Sequence, residues 1–303
     1  MSEFKSGFVS IVGRTNVGKS TLLNNLVEED VVVTANKPQT TRLNAKAIVN
    51  RENSQIIFID TPGIHKPKGK LGETMVSSAF SGIKDSDVVL FLIEATSTEV
   101  GKGDKFIIEK LKESNKKVIL IINKIDLIKR EKLLELIEMY KEEYPFEAVI
   151  PIEATSKKYK NTVLDEIEKL LSPGPKYYEE DIYTDQSLRQ MAEEKIREKA
   201  LRLLEDEVPH GIYVEVTKFK ERKTVKGEDI YDIDATIYCK RDSHKGIIIG
   251  KEGRMLKRIS SSARYDLEKI CGIKVNLQVW VKVDKTWDEN TQILKKFKYS
   301  NNK

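Results

Sequence analysis

Residues 13–20 read Gly-Arg-Thr-Asn-Val-Gly-Lys-Ser. They follow an apolar run at 7–12 and lead into a helical pattern at 19–27. A glycine-bearing turn between strand and helix, ending in Lys-Ser, is a phosphate-binding loop in its confirming context. Glycines let the backbone wrap phosphates closely, and N–H groups at a helix start attract anions. The phosphate-site candidates are therefore Gly13, Arg14, Thr15, Asn16, Val17, Gly18, Lys19, Ser20 and Thr21. Lys19 is expected to reach the outer phosphates, and the Ser20 hydroxyl to hold Mg²⁺. The plain alternative, a strand–helix turn without a ligand, is weakened by two further motifs.

Asp60, Thr61, Pro62, Gly63 and Ile64 close the next strongly apolar run, and Asn123, Lys124 and Asp126 close a later one. Strand ends of an open parallel sheet are where its ligands bind. A carboxylate at Asp60 can hold a water on Mg²⁺, and the Gly63 N–H can meet a γ-phosphate. Asp126 can accept two hydrogen bonds from guanine N1–H and N2–H₂, which adenine does not offer. The Lys124 stem can lie over the base. Each motif alone is common; the three in this order and spacing imply a guanine-nucleotide site, with GTP and GDP as its ligands. The Lys-Pro-Gln-Thr-Thr-Arg loop at 37–42 lies between the first two. Thr41, with Thr40 as the alternative, is expected to ligate Mg²⁺ only when a γ-phosphate is present, which makes the loop a switch. The residue after Gly63 is Ile64, so no glutamine stands there to orient a water, and slow intrinsic turnover is expected. His65 is read as solvated rather than catalytic.

Strand patterns at 7–12, 44–50, 55–60, 88–94, 117–123 and 148–151 alternate with helical ones at 19–27, 72–83, 102–112, 130–144 and 162–171. Such alternation predicts a mostly parallel α/β sheet with helices on both faces. Ser-Pro-Gly-Pro at 172–175 opens an acidic, Tyr-containing stretch to 185. The expected division is 1–171 for the first domain, 172–185 for a linker and 186–303 for a second, α+β domain with a tail. That second part reads helix (187–205), strand (212–219), strand (230–238), two helices (244–249 and 254–270) and strand (273–283). With two cysteines and three histidines in 303 residues, a disulfide scaffold or soft-ligand metal centre is not expected. The apolar runs at 88–93 and 118–122 are too short to span a bilayer, and residues 1–10 carry no secretory pattern.

The net charge is +5, and residues 240–264 hold eight basic side chains against two acidic ones. A local excess of that size points to a polyanion. Inside it, Gly250-Lys-Glu-Gly253 follows an isoleucine run and precedes a long basic helix. A Gly-x-x-Gly turn between two helices, beside a three-stranded sheet, is the KH arrangement. The RNA-site candidates are Lys245, Gly250, Lys251, Glu252, Gly253, Arg254, Lys257 and Arg258. A solvated basic helix face is the alternative.

Taken with Pro-Gln-Thr-Thr-Arg, Val-Pro-His-Gly-Ile-Tyr-Val-Glu-Val and the closing Val-Asn-Leu-Gln-Val-Trp-Val-Lys-Val-Asp-Lys-Thr-Trp, these motifs resemble the Era-type GTPases from about residue 5 to 290. The resemblance implies a P-loop GTPase domain followed by a type II KH domain. It implies binding near the 3′ end of small-subunit ribosomal RNA, action in assembly of the 30S-type subunit, and no DNA partner. It also implies a cytoplasmic protein with a peripheral fraction at the inner membrane. In related GTPases with asparagine at the position of Asn16, a K⁺ supplies the charge of an arginine finger, so K⁺ stimulation is expected. Two positions depart from the family. Glu153 stands where serine is usual, although the Ala154 N–H can still meet guanine O6. Glu252 puts a negative charge inside the glycine turn. An RNA-binding scaffold with a structural nucleotide site and a membrane-surface GTPase in cell-cycle control are the competing readings.

Overall fold

Six consecutive apolar residues, Val88 to Ile93, have no polar face to offer water, and all six are fully buried. They form β4 (Val88–Glu94) in the middle of a six-stranded sheet. The computed structural model describes residues 3–28, 32, 45–64, 67, 69–205, 208 and 211–296, and the chain forms two compact units with a boundary between Asp185 and Gln186.

The first unit contains β1 (Lys5–Gly13), α1 (Lys19–Val27), β2 (Lys46–Arg51), β3 (Ser54–Asp60), α2 (Gly69–Asp85), β4, α3 (Lys102–Ser114), β5 (Lys117–Asn123), α4 (Arg130–Glu143), β6 (Ala148–Pro151) and α5 (Lys160–Leu170). The strand order is β2-β3-β1-β4-β5-β6. Among the described strands of this sheet, only the β2–β3 pairing is antiparallel. Alternate residues of β4 and β5 feed two cores. Val88, Leu90 and Leu92 pack in the core that holds Leu22, Leu23 and Leu26 of α1 and Val163 and Ile167 of α5. Val89, Phe91 and Ile93 pack in the core with Ala79 and Ile83 of α2, Ile107 and Leu111 of α3, and Tyr140 of α4. Burying each such side chain contributes roughly 1.5–3 kcal/mol, which is why positions 88–93 tolerate no polar side chain. Helices thus cover both faces, and the carboxyl ends of β1, β3, β4 and β5 gather at one edge of the sheet.

The stretch expected as a linker follows the first unit closely. The Ser6 N–H donates to Ser172 O, and the Gly174 N–H to Phe4 O. Gln55 is fully buried. Its Oε1 accepts from the Tyr177 and Tyr178 N–H groups at 2.7 and 3.0 Å, and its Nε2 donates to Tyr178 O at 2.8 Å. Farther along, the Ile48 N–H donates to Tyr183 O and the Lys46 N–H to Asp185 Oδ1. Residues 172–178 therefore bond the start of β1 and Gln55 of β3, and residues 180–185 run along the outer edge of β2.

The second unit contains α6 (Leu188–Leu203), β7 (Ile212–Lys223), β8 (Asp229–Cys239), α7 (Asp242–Ile249), α8 (Arg254–Cys271) and β9 (Lys274–Val283), and α9 (Thr291–Lys296) follows in the chain. Ser187 caps α6 in a capping box with Gln190. β7 and β8 are antiparallel, with a bulge between Val216 and Lys218, and β9 runs parallel to β8. One sheet face, with Val214, Ile233, Ile237 and Val281, packs on Ile196 and Ala200 of α6 and on Ile259, Ala263 and Leu267 of α8. The helix–strand–strand–helix–helix–strand order leaves a single turn between α7 and α8, and that turn carries the two glycines.

Candidate functional site

β1 stops at Gly13 and α1 starts at Lys19, so four residues and Gly18 make the crossing. Gly18 has φ 103°, and a Cβ there would lie 2.2 Å from Asn123 Nδ2. That amide has no room to retreat. Asn123 is 3% exposed. Its Nδ2 donates to Val17 O at 2.8 Å, and its Oδ1 accepts from the Lys124 and Ala154 N–H groups, both at 2.8 Å. One side chain therefore ties the phosphate loop, the Asn-Lys-x-Asp turn and the 152–156 loop together. The Asn25 amide adds a second tie, donating to Ala154 O at 2.9 Å. In this arrangement the Ala154 N–H bonds Asn123, not the space expected for guanine O6. Thr155 Oγ1 donates to Glu153 at 2.8 Å, which keeps that unusual carboxylate within its own turn.

Lys19 is 6% exposed. Its Nζ donates to the carbonyls of Gly13 and Arg14 at 3.2 and 2.8 Å. Burial brings its pKa down to about 8, while the Asp60 carboxylate pulls it the other way. A desolvated ammonium among backbone carbonyls is a ready partner for an anion. Ser20 Oγ donates to Asp60 Oδ2 at 3.4 Å. A hydroxyl and a carboxylate side by side are the hard-oxygen donors that suit Mg²⁺. Thr21 sits half-buried in the first turn of α1.

The turn after β3 is anchored to β1. Thr61 Oγ1 donates to Ile11 O at 2.6 Å, and the Ile64 N–H to Gly13 O at 3.1 Å. A Cβ on Gly63 would meet the Thr15 Cα at 3.0 Å, so the glycine lets this backbone lie against the phosphate loop. Pro62 is buried with it. Thr40, Thr41 and His65 lie outside the described residues.

Lys124 has φ 66° and leads into the single turn Ile125–Leu127, where Asp126 is exposed. The Lys124 ammonium donates to Asn16 O at 3.2 Å and pairs with Glu94 at the end of β4. Arg14 Nε donates to Asp104 Oδ1 at 3.1 Å. Sequence reasoning missed Asn25, Glu94 and Asp104. Glu94 did carry a signal: it is the acidic residue at the carboxyl end of an otherwise apolar parallel strand.

In the second unit, Gly250 has φ 72°, and a Cβ there would lie 2.7 Å from Met255 Cβ. Glu252 and Gly253 also lie in the left-handed region, at φ 53° and 75°. Lys251, Lys257 and Arg258 are exposed, and Lys245 is half-buried. Arg254 Nη2 donates to Glu252 Oε2 at 2.6 Å, so the charge that departs from the family pattern is offset by its neighbour. Trp287 is fully buried and donates to Gly211 O, whereas Trp280 is 44% exposed.

The model of the family described as 50S ribosome-binding GTPase matches residues 8–124, and that of the KH domain matches residues 207–288. GTPase Era from Clostridium tetani is 52% identical over 297 residues, 98% of this chain and 99% of that protein. GTPase Era from Thermoanaerobacter sp. X514 is 51% identical over 296 residues, 98% of this chain and 97% of that protein. A crystal structure of Era in complex with MgGDPNP and nucleotides 1506–1542 of 16S ribosomal RNA has a TM-score of 0.92 at 39% identity, covering 97% of this chain and 98% of that one. A variant of Aquifex aeolicus Era bound to GDP and AlF4⁻ has a TM-score of 0.91 at 38% identity, covering 97% and 99%. With about half its residues shared with these relatives across nearly its full length, and a phosphate loop and a KH turn on one polypeptide, the chain belongs to the Era family of GTPases.

Proposed function

We propose that this GTPase is a switch that binds small-subunit ribosomal RNA near its 3′ end and acts in assembly of the small ribosomal subunit. One observation carries the reading: the chain follows, at a TM-score of 0.92, a relative bound to both a magnesium nucleotide and the RNA segment 1506–1542. The two sites described above supply the matching chemistry. In this reading residues 1–171 form the GTPase domain, 172–185 connect, and 186–303 form the KH domain with its tail. No helix among the described residues is long and apolar enough to cross a membrane. The cytoplasm, with a peripheral fraction at the inner membrane, is the proposed location, and flotation with liposomes checks the second part.

Lys19 meets the outer phosphates, while the N–H groups of residues 14–20 line the anion. Ser20 and Asp60 hold Mg²⁺, Asp60 through a water, with Thr41 joining when a γ-phosphate is present. The ion supplies positive charge against the phosphates. Asp126 accepts from guanine N1–H and N2–H₂ and the Lys124 stem covers the base. Since the Ala154 amide is committed to Asn123, selection of guanine falls mainly to Asp126. Water attacks the γ-phosphorus and GDP leaves. Ile64 cannot orient that water, so turnover is slow; Asn16 would hold a K⁺, whose positive charge would speed the reaction. Lys245, Lys251, Lys257 and Arg258 meet RNA phosphates around the glycine turn.

Multiple-turnover hydrolysis in KCl and in NaCl, at fixed Mg²⁺, tests the first half. Lys19→Ala should abolish it, and equal rates in the two salts would remove the K⁺ role. Asp126→Asn should cut the discrimination for guanine over xanthine nucleotides by roughly 10⁴, since a site built to pair with a donor rejects the analogue that presents an acceptor instead. Crosslinking in cells followed by sequencing should place the bound RNA at the 3′ end of 16S ribosomal RNA. Absence of turnover with intact RNA binding would leave a scaffold instead.

A further inference from the structure

Besides Lys19, which donates to Arg14 O, side chains from outside the phosphate loop hold its tip, residues 14–16. Asn16 has φ 65°, a left-handed conformation that asparagine tolerates better than most side chains and that turns its carbonyl outward from the loop. Its carbonyl accepts from Lys124 Nζ at 3.2 Å, and the same ammonium is paired with Glu94. Two residues earlier, the Arg14 guanidinium donates through Nε to Asp104 at 3.1 Å and through Nη2 to Ser97 Oγ at 3.2 Å. Glu94, Ser97 and Asp104 all come from one stretch, the end of β4, its connection and the first turn of α3. Gly103 is the space that lets Arg14 lie there, because a Cβ would come within 3.0 Å of Arg14 Cδ.

Stability alone does not explain this placement. The Asp104 carboxylate is fully buried, and burial raises its pKa despite Arg14 and the Tyr140 hydroxyl. Its Arg14 partner is 36% exposed, so the pair adds little net stability while the desolvated acid works against it. Its geometric effect is definite: it fixes where the loop's second residue lies. Glu94 does the same for the loop's fourth residue, through the lysine that also covers the base.

We propose that Glu94 and Asp104 are positioning residues for nucleotide binding, holding the tip of the phosphate loop from both ends. The inference rests on the nucleotide site described above. Measured in NaCl, where no K⁺ contributes at Asn16, the loss is one of uniform binding, because Lys124 and the loop contact the nucleotide alike in the ground and transition states. Glu94→Gln should speed mant-GDP release and raise the KM for GTP, each about tenfold, with kcat within about twofold of wild type. Glu94→Asp, which keeps the charge, should return the KM to within about threefold of wild type. Asp104→Asn should act in the same direction, about threefold. Tyr140→Phe removes only the hydroxyl that α4 gives to Asp104 at 3.0 Å. It should lower Tm and leave the KM unchanged.

Folded Glu94→Gln and Asp104→Asn proteins with wild-type KM and wild-type GDP release would overturn the proposal. So would an increase in KM for Tyr140→Phe equal to that for Asp104→Asn. If Asp104→Asn does not fold, Glu94→Gln decides alone, since Glu94 is partly exposed. Wild-type protein that bound no GDP would overturn the nucleotide site itself, a different failure from variants that bind as wild type does.

Discussion

The two glycine loops of this chain solve opposite problems. The loop at 13–20 is tied into its surroundings by buried side chains: Asn123 bonds three segments, Lys19 bonds two carbonyls, and a Cβ on Gly18 would strike the Asn123 amide. The turn at 250–253 closes on itself through the Gly253 N–H to Gly250 O at 3.1 Å, and a Cβ on Gly253 would meet nothing within 4 Å. A triphosphate has one shape, and a preorganised cradle binds it without reordering. An RNA backbone must slide into register, and an open turn with exposed lysines lets it approach. Glycine serves a tight internal fit in the first loop and at Gly250, where a Cβ would meet Met255, whereas at Gly253 it serves outside access.

Adding one methyl group at each place gives the largest contrast. Gly18→Ala should weaken GDP and GTP binding by at least roughly 100-fold, because the left-handed penalty adds to displacement of a three-bonded buried amide. Gly253→Ala meets only the left-handed penalty and should weaken RNA binding by less than roughly tenfold. Isothermal titration with each ligand checks both. Equal losses would mean that the second loop is as closely enclosed as the first.

Charge separates the two sites next. Gly253→Asp puts a carboxylate where phosphates approach and should reduce RNA affinity by roughly 30-fold. GTP turnover in the absence of RNA should not change. A parallel fall in turnover would show that the substitution acts beyond its own unit.

Protonation gives a smaller effect, confined to the first loop. Burial disfavours the charged form of Lys19, whose pKa is about 8 against an ordinary 10.5. The nucleotide-free fold therefore gains stability from this group as pH rises from about 8 toward 10.5. Bound phosphates favour the charged form, so nucleotide affinity should fall about tenfold between pH 7 and pH 9. Lys19→Arg, which stays charged, should flatten that profile, and a wild-type profile that is already flat would contradict the burial effect.

How far these sites were legible depends on how local their causes are. The apolar runs specify β4 and β5, because their interior residues are buried on both faces and polar residues mark their ends, and the short run 148–151 likewise matches the edge strand β6. β7 runs on to Lys223, past the expected 219, because Lys220, Glu221, Arg222 and Lys223 keep pairing with β8 although their side chains are polar. Pairing leaves no periodicity in such a stretch. The prolines at 173 and 175 mark a break in helix correctly, yet nothing local shows that Gln55 receives the chain that follows. The same limit hides Asp104: an acidic residue in the first turn of a helix looks like a surface charge until the fold places Arg14 and Tyr140 against it. Motif residues can be read from spacing, whereas the residues that hold them in place come from other elements and are visible only in three dimensions.

The smallest effect sharpens the comparison most, because it concerns a group with no counterpart in the first loop. Glu252 and Arg254 form an exposed pair, with side chains 64% and 74% accessible. Such a pair contributes little to folding, but it occupies a guanidinium beside the glycine turn. Glu252→Gln should leave Tm unchanged and release Arg254 toward phosphate. One more phosphate contact steepens the slope of log affinity against log salt by about one and raises RNA affinity about threefold at moderate salt. Arg254→Gln in the same background should cancel both changes, since the gain belongs to the arginine. Should Glu252→Gln raise affinity without altering the slope, the carboxylate acts by repelling RNA directly, and the pairing with Arg254 has no part in recognition.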